Sequence, residues 1–259
     1  MAPTDPTPAP DIVHVLVTGF GPFGNFPVNP SWLAVKALAG ASLPTTTARG
    51  HARTVRITVL EVPVEYAAVL AVVPGLHAAP PVLPANALLH AHGLPAAGFD
   101  FILHVGVAGP GGLALERRGH KLGYLRPDAA GALAPAVGAT RGFAAGYEGL
   151  PAELETQADV AGLQADLLAS GVEHVRVSED AGHYLCDFIC YASLAQARRG
   201  EEKGVKTPLV QFLHCCPVDQ PYATEQVTEA IKHIVTWVGA GLASGSSLAA
   251  LQRPVRARL

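Results

Sequence analysis

Residues 12–38 read IVHVLVTGFGPFGNFPVNPSWLAVKAL, and the order of their parts sets the architecture. Ile12–Thr18 is an apolar, β-branched run; a glycine-rich loop follows, and Asn29-Pro30 opens a helical pattern over Pro30–Leu38 with an N-cap and an N1 proline. A short apolar run leading into a helix is how a strand buried on both faces of a parallel sheet reads. The unit recurs. Thr54–Val62, Phe99–Val107, Val172–Ser178 and Pro208–Leu213 read as further strands, and Glu65–Val73, Ala158–Ala169, Tyr184–Arg198 and Thr224–Val238 as helices. The expectation is an α/β fold with a mainly parallel sheet, helices on both faces and right-handed crossovers.

The rest of the 259 residues fits around that frame as one domain over 12–245. Residues 1–11, dense in proline and lacking the basic and apolar regions of a signal peptide, are expected to form a disordered leader, and 246–259 a C-terminal tail. The Pro/Ala/His-rich 74–98 and the Gly/Ala-rich 126–152 exceed ordinary connection lengths and read as loop excursions. A net charge of −3 without a basic run argues against nucleic acid as a partner, and prolines interrupt every apolar stretch long enough to suggest a membrane span. Four cysteines, two of them adjacent at 215 and 216, do not make a secreted disulfide framework; a reducing cytoplasm is expected.

Ligands of parallel sheets bind beyond the carboxyl ends of the strands, so the segments that follow strands matter most. After the first strand, Gly19-Phe20-Gly21-Pro22-Phe23-Gly24 satisfies the dinucleotide G-x-G-x-x-G pattern in form only. The helix starts too late, and no acid lies between Asp11 and Glu61 to hold a ribose. Phe20 and Phe23 could line an apolar slot for a flat ligand, or could plug the core beneath the loop. After Val172–Ser178, Gly182 can supply a tight turn that puts Cys186 in the first turn of the next helix, where free N–H groups and the helix dipole favour a thiolate. A free cysteine is also a common core residue, the reading kept for Cys190. His214 ends the following strand, which is expected to neighbour the strand before Cys186. Glu116, between apolar residues and Arg117-Arg118, could orient an imidazole or form a surface salt bridge. His51, His77, His90, His92, His174 and His233 read as solvated. A zinc module built from Cys186, Cys190, His214 and Cys215 is disfavoured by the adjacent ligands at 214 and 215.

Taken together, several segments resemble the type I pyroglutamyl peptidases, and eukaryotic members more than bacterial ones. They are Thr18–Gly24 with Val28–Val35, Pro63–Tyr66, His104–Gly109, Leu115-Glu116, Gly119-His120, Gly123-Tyr124, Asp180–Gly182 with Tyr184–Phe188, and Phe212–His214. The resemblance runs in order over roughly residues 12–238. It implies an α/β/α sandwich, a triad of Cys186, His214 and Glu116, and binding of a pyroglutamyl ring by Phe20, Phe23 and Asn29. The implied activity is a cysteine peptidase acting on peptides with an N-terminal pyroglutamate, without metal or organic cofactor. Four departures stand out: Val107 replaces a glutamine of bacterial members, the 74–98 and 199–207 segments are longer, the loop after Tyr124 is unlike the family and so yields no oxyanion-hole residue, and Cys215-Cys216 follows the histidine. The last is the motive for an alternative, a weakly catalytic paralogue that only binds such peptides.

Overall fold

The computed structural model describes residues 11–242. The expected leader and tail lie outside this range except Asp11, which opens the first strand instead of ending a leader. The apolar run becomes β1 (Asp11–Phe20), and the Asn29 side chain caps α1 (Pro30–Lys36). Gly19 lets the two pack tightly: a Cβ there would lie 2.9 Å from the Trp32 Cα. There follow β2 (Ser42–Thr46), β3 (Ala52–Val62), α2 (Tyr66–Leu76), β4 (Phe101–Val107), β5 (Leu113–Glu116), β6 (Arg118–His120), β7 (Ala136–Val137), β8 (Thr140–Arg141) and β9 (Glu153–Glu155). The chain then runs through α3 (Val160–Ala169), β10 (Val175–Ser178), α4 (Leu185–Glu202), β11 (Leu209–Cys215) and α5 (Thr224–Gly241).

Seven strands form the central sheet in the order β10-β5-β11-β4-β1-β3-β2. The pairs β11 with β4, β4 with β1, β1 with β3 and β10 with β5 are parallel; β5 with β11 and β2 with β3 are antiparallel. One core packs α1, α3 and α5 on one face of the sheet, the other α2 and α4 on the opposite face. The result is the expected α/β/α sandwich with a mainly parallel sheet. Among the described residues no helix is long and apolar enough to cross a membrane.

The structure corrects the sequence reading at several points. The strand before Cys186 does not neighbour the His214 strand: β5 lies between β10 and β11. Four residues of strand inside a glycine-rich stretch carry too little periodicity to be seen in sequence. Helix α2 runs through Pro74 to Leu76, beyond the expected end at Val73. The 74–98 excursion is tied down, with Leu88 pairing backbone to backbone with Val59 on β3 and Val82 N–H donating to the Gly75 carbonyl. Two histidines expected in solvent are enclosed by this excursion. His90 is buried with Nε2 2.8 Å from Ser42 Oγ. His77 places Nε2 2.7 Å from Ser193 Oγ, and burial pushes its pKa down to about 3.

Candidate active site

Glu116 ends β5 and His214 lies near the end of β11, strands that run antiparallel with Glu116 opposite Phe212. This register brings His214 Nδ1 within 2.7 Å of Glu116 Oε1. Glu116 is 1% exposed, so the surface salt bridge reading fails for it. The neighbouring arginines take that role: Arg117 pairs with Glu179, and Arg118 with Glu153, Glu155 and Glu179. A carboxylate accepting from Nδ1 fixes the tautomer and leaves Nε2 as the working nitrogen.

Gly182 adopts φ +89° and His183 φ +45°, a turn that ends the approach from β10 and starts α4. Tyr184 is the N-cap residue without a side-chain cap, and Cys186 is the second helical residue. Its sulfur lies close enough to His214 to act on the imidazole's titration. Burial disfavours the imidazolium of His214, but the sulfur of Cys186 and the carboxylate of Glu116 outweigh it and push the pKa up to about 10. Backbone N–H groups of the first turn of α4 lack intrahelical partners by construction. Such a cluster can hold a proton on imidazole beside a sulfur nucleophile and offer donors to an oxyanion.

The remaining cysteines differ in kind. Cys190 is buried, which holds its thiol well above the usual range, and Cys215 is raised by burial as well. Alternation along β11 sends Leu213 and Cys215 into the α1/α3/α5 core and Phe212 into the opposite one, so Cys215 faces away from the imidazole. Cys216 is buried with its thiol 3.9 Å from the Tyr222 carbonyl.

The ring-binding candidates occupy distinct positions. Phe20 is buried at the end of β1, with Cδ2 3.5 Å from where a Gly106 Cβ would stand. Phe23 is half-buried and packs its ring 5.4 Å from that of Tyr184, over which the Arg126 guanidinium sits at 4.8 Å. Phe23 and Phe26 pair by two backbone hydrogen bonds, which closes the loop after β1 into a hairpin-like tip. Asn29 is buried and engaged at both ends of its amide: Nδ2 donates to the Gly21 carbonyl, and Oδ1 accepts from the Ser31 N–H and hydroxyl. It pins the loop to the helix it caps.

Two residues that lie in the segments quoted for the resemblance receive no role from sequence. Gly106 of β4 faces the sulfur, and a Cβ there would lie 2.7 Å from Cys186 Sγ and 2.8 Å from Phe212 Cζ. A glycine inside an otherwise bulky strand was the available signal. Asp187, beside Cys186, is fully buried and accepts from the His120 N–H at 3.1 Å and the Tyr124 hydroxyl at 3.0 Å, with His120 Nδ1 at 3.2 Å. Burial raises its pKa, and His120 and Tyr124 oppose the rise. An acid amid the apolar Leu185, Phe188 and Ile189 was its signal.

Comparison with known proteins places this geometry. The family model described as pyroglutamyl peptidase matches residues 13–73. Pyroglutamyl-peptidase 1 of Mus musculus and of Homo sapiens are each 31% identical over 223 residues, covering 85% of this chain and 87% of theirs. Among solved structures, pyroglutamyl peptidase I of Bacillus amyloliquefaciens superposes with a TM-score of 0.61 at 24% identity, covering 86% of this chain and 95% of that one. Pyrrolidone carboxyl peptidase of Fervidobacterium islandicum AW-1 gives 0.65 at 24% identity, with 88% and 98% covered. The bacterial likenesses show the shared fold, and the mammalian identity, extended over most of both chains, shows descent: this chain belongs to the pyroglutamyl peptidase family.

Proposed function

We propose that the chain is a cysteine-type pyroglutamyl peptidase that hydrolyses the amide bond after an N-terminal pyroglutamyl residue. The observation that carries this reading is the meeting of Cys186, His214 and Glu116 at one end of the sheet, with the Phe20 ring and a bare Gly106 beside the sulfur. Membership of the family supports it.

In this mechanism the lactam ring enters between the loop carrying Phe23 and the end of β1, against Phe20, with Asn29 holding the loop in place. Cys186 Sγ, its proton held on His214, attacks the carbonyl carbon that follows the ring. The oxyanion is met by N–H groups at the start of α4, the Cys186 N–H among them; one such donor is typically worth about 3 kcal/mol. His214 gives its proton to the departing amine, which breaks the C–N bond and leaves a thioester. Water, losing a proton to the same imidazole, attacks the thioester; free pyroglutamate leaves and the thiol–imidazole pair is restored. Glu116 keeps Nδ1 as donor throughout. Free thiols at all four cysteines suit a reducing, cytoplasmic setting.

Because Cys215 points into the opposite core, the pair of cysteines after the histidine gives no reason to expect a silent paralogue. Turnover of a pyroglutamyl aminocoumarin against its glutaminyl counterpart tests the reading. Only the lactam should release fluorophore, since an open chain with a charged amine loses hydration in an apolar slot. Equal rates, or binding without release, would sink it.

A further inference from the structure

A second cluster of side chains lies outside the triad, where the end of β6 meets the turn before α4. One ligand-capable atom from each of His120, Asp180 and His183 lies within 4.8 Å of the other two. The two imidazole centroids are 4.5 Å apart at an interplanar angle of 43°. The proposed peptidase chemistry uses none of the three.

The hydrogen bonds decide which nitrogens are free. His120 Nδ1 stands 3.2 Å from both oxygens of buried Asp187, a carboxylate that accepts, so Nδ1 carries the proton and Nε2 is bare. His183 Nδ1 lies 3.1 Å from the Leu122 carbonyl, which can only accept, so the same tautomer follows. Metal-binding histidines in proteins show this arrangement: the outer N–H is given to a carboxylate or a backbone carbonyl, which orients the ring and raises the basicity of the other nitrogen. Asp180 uses Oδ1 to accept the Gly182 N–H at 2.8 Å, and among the described residues no cation pairs with it. Gly123 leaves room for the second ring, since a Cβ there would lie 2.8 Å from His183 Nδ1.

We propose that His120, His183 and Asp180 bind one divalent transition-metal ion of the zinc class. Two imidazoles and a carboxylate suit such an ion, with water completing its coordination. The ion would join the end of β6 to the turn that sets the start of α4, bracing that turn from outside the triad.

The test uses chelator-treated Cys186→Ser protein, because the thiol of Cys186 with His214 would compete for the same metals. Calorimetric titration with Zn2+ near neutral pH should give one ion per chain and raise Tm. Co2+ should give visible bands of nitrogen and oxygen ligation without thiolate charge transfer. His183→Gly keeps the left-handed backbone and removes the ligand, and Asp180→Asn keeps the acceptor for Gly182. Each should weaken Zn2+ binding by more than about tenfold, with circular dichroism and metal-free Tm confirming an intact fold. No binding at millimolar Zn2+, unchanged affinity in both variants, or a cobalt spectrum dominated by thiolate would overturn the proposal.

Discussion

At Cys186 the geometry depends on what its neighbours lack. Gly106 has no side chain, and that absence is where the sulfur rests. In Gly106→Ala the new methyl group would collide with both Sγ and the Phe212 ring, so one or both must shift. Displacing the nucleophile by about 1 Å should lower kcat by about 10²-fold, and overpacking should cost about 1–3 kcal/mol. Steady-state kinetics beside urea unfolding measure both, and wild-type turnover would mean that the sulfur works elsewhere. His214 makes a second residue-scale prediction. Its pKa is raised from 6.5 to about 10, so the stability it contributes is fully present below 6.5 and is lost as pH rises through about 10. Glu116→Gln removes one of the two groups that raise it. The stability gap between wild type and variant should therefore be widest near pH 6.5 and narrow above about pH 10, in urea titrations across that range. A gap that does not vary with pH would uncouple Glu116 from the imidazolium.

Among the elements, α1 and the loop ahead of it share one side chain. Asn29 caps the helix with its oxygen and holds Gly21 with its nitrogen, so the two duties can be separated. Asn29→Ala gives up both and should cost about 1 kcal/mol of stability. Asn29→Asp keeps the acceptor at a helix N-terminus that welcomes negative charge, yet loses the donor to Gly21. Its stability should stay near wild type while KM for a pyroglutamyl substrate rises several-fold as the Phe23 loop loosens. An unchanged KM in the aspartate variant would show that the loop is held by its Phe23–Phe26 pairing alone.

At the scale of the molecule, the parallel core was legible because its strands are long, apolar and followed by helices with clear starts, as at Asn29-Pro30. The candidate triad was named in full through the family resemblance, and local pattern alone reached only part of it. Cys186 and His214 each follow a recognisable strand. Glu116 ends a four-residue strand whose partner, β11, is almost a hundred residues away, and no local pattern reports such a pairing. Likewise His77 and His90 gave no sign that the excursion folds back over them. Burial also sorts the thiols, with Cys186 partly exposed and Cys190, Cys215 and Cys216 buried. Brief iodoacetamide treatment should place one label per folded chain, at Cys186, and activity should vanish in step with it. Mapping the label to Cys215 or Cys216 would mean that the nucleophile is another residue.

The place of β11 has a consequence in time. Among the described residues it is the last strand, yet it sits in the middle of the sheet between β5 and β4. On the ribosome, β1, β3 and β4 can pair soon after they emerge, while β5 and β10 must wait as a separate flap with an unfilled gap between the two groups. Closing that gap joins the halves and delivers His214 to a glutamate and a cysteine made earlier. A nascent chain therefore cannot hold the proposed Cys–His–Glu cluster before β11 docks, so the site is assembled late in folding.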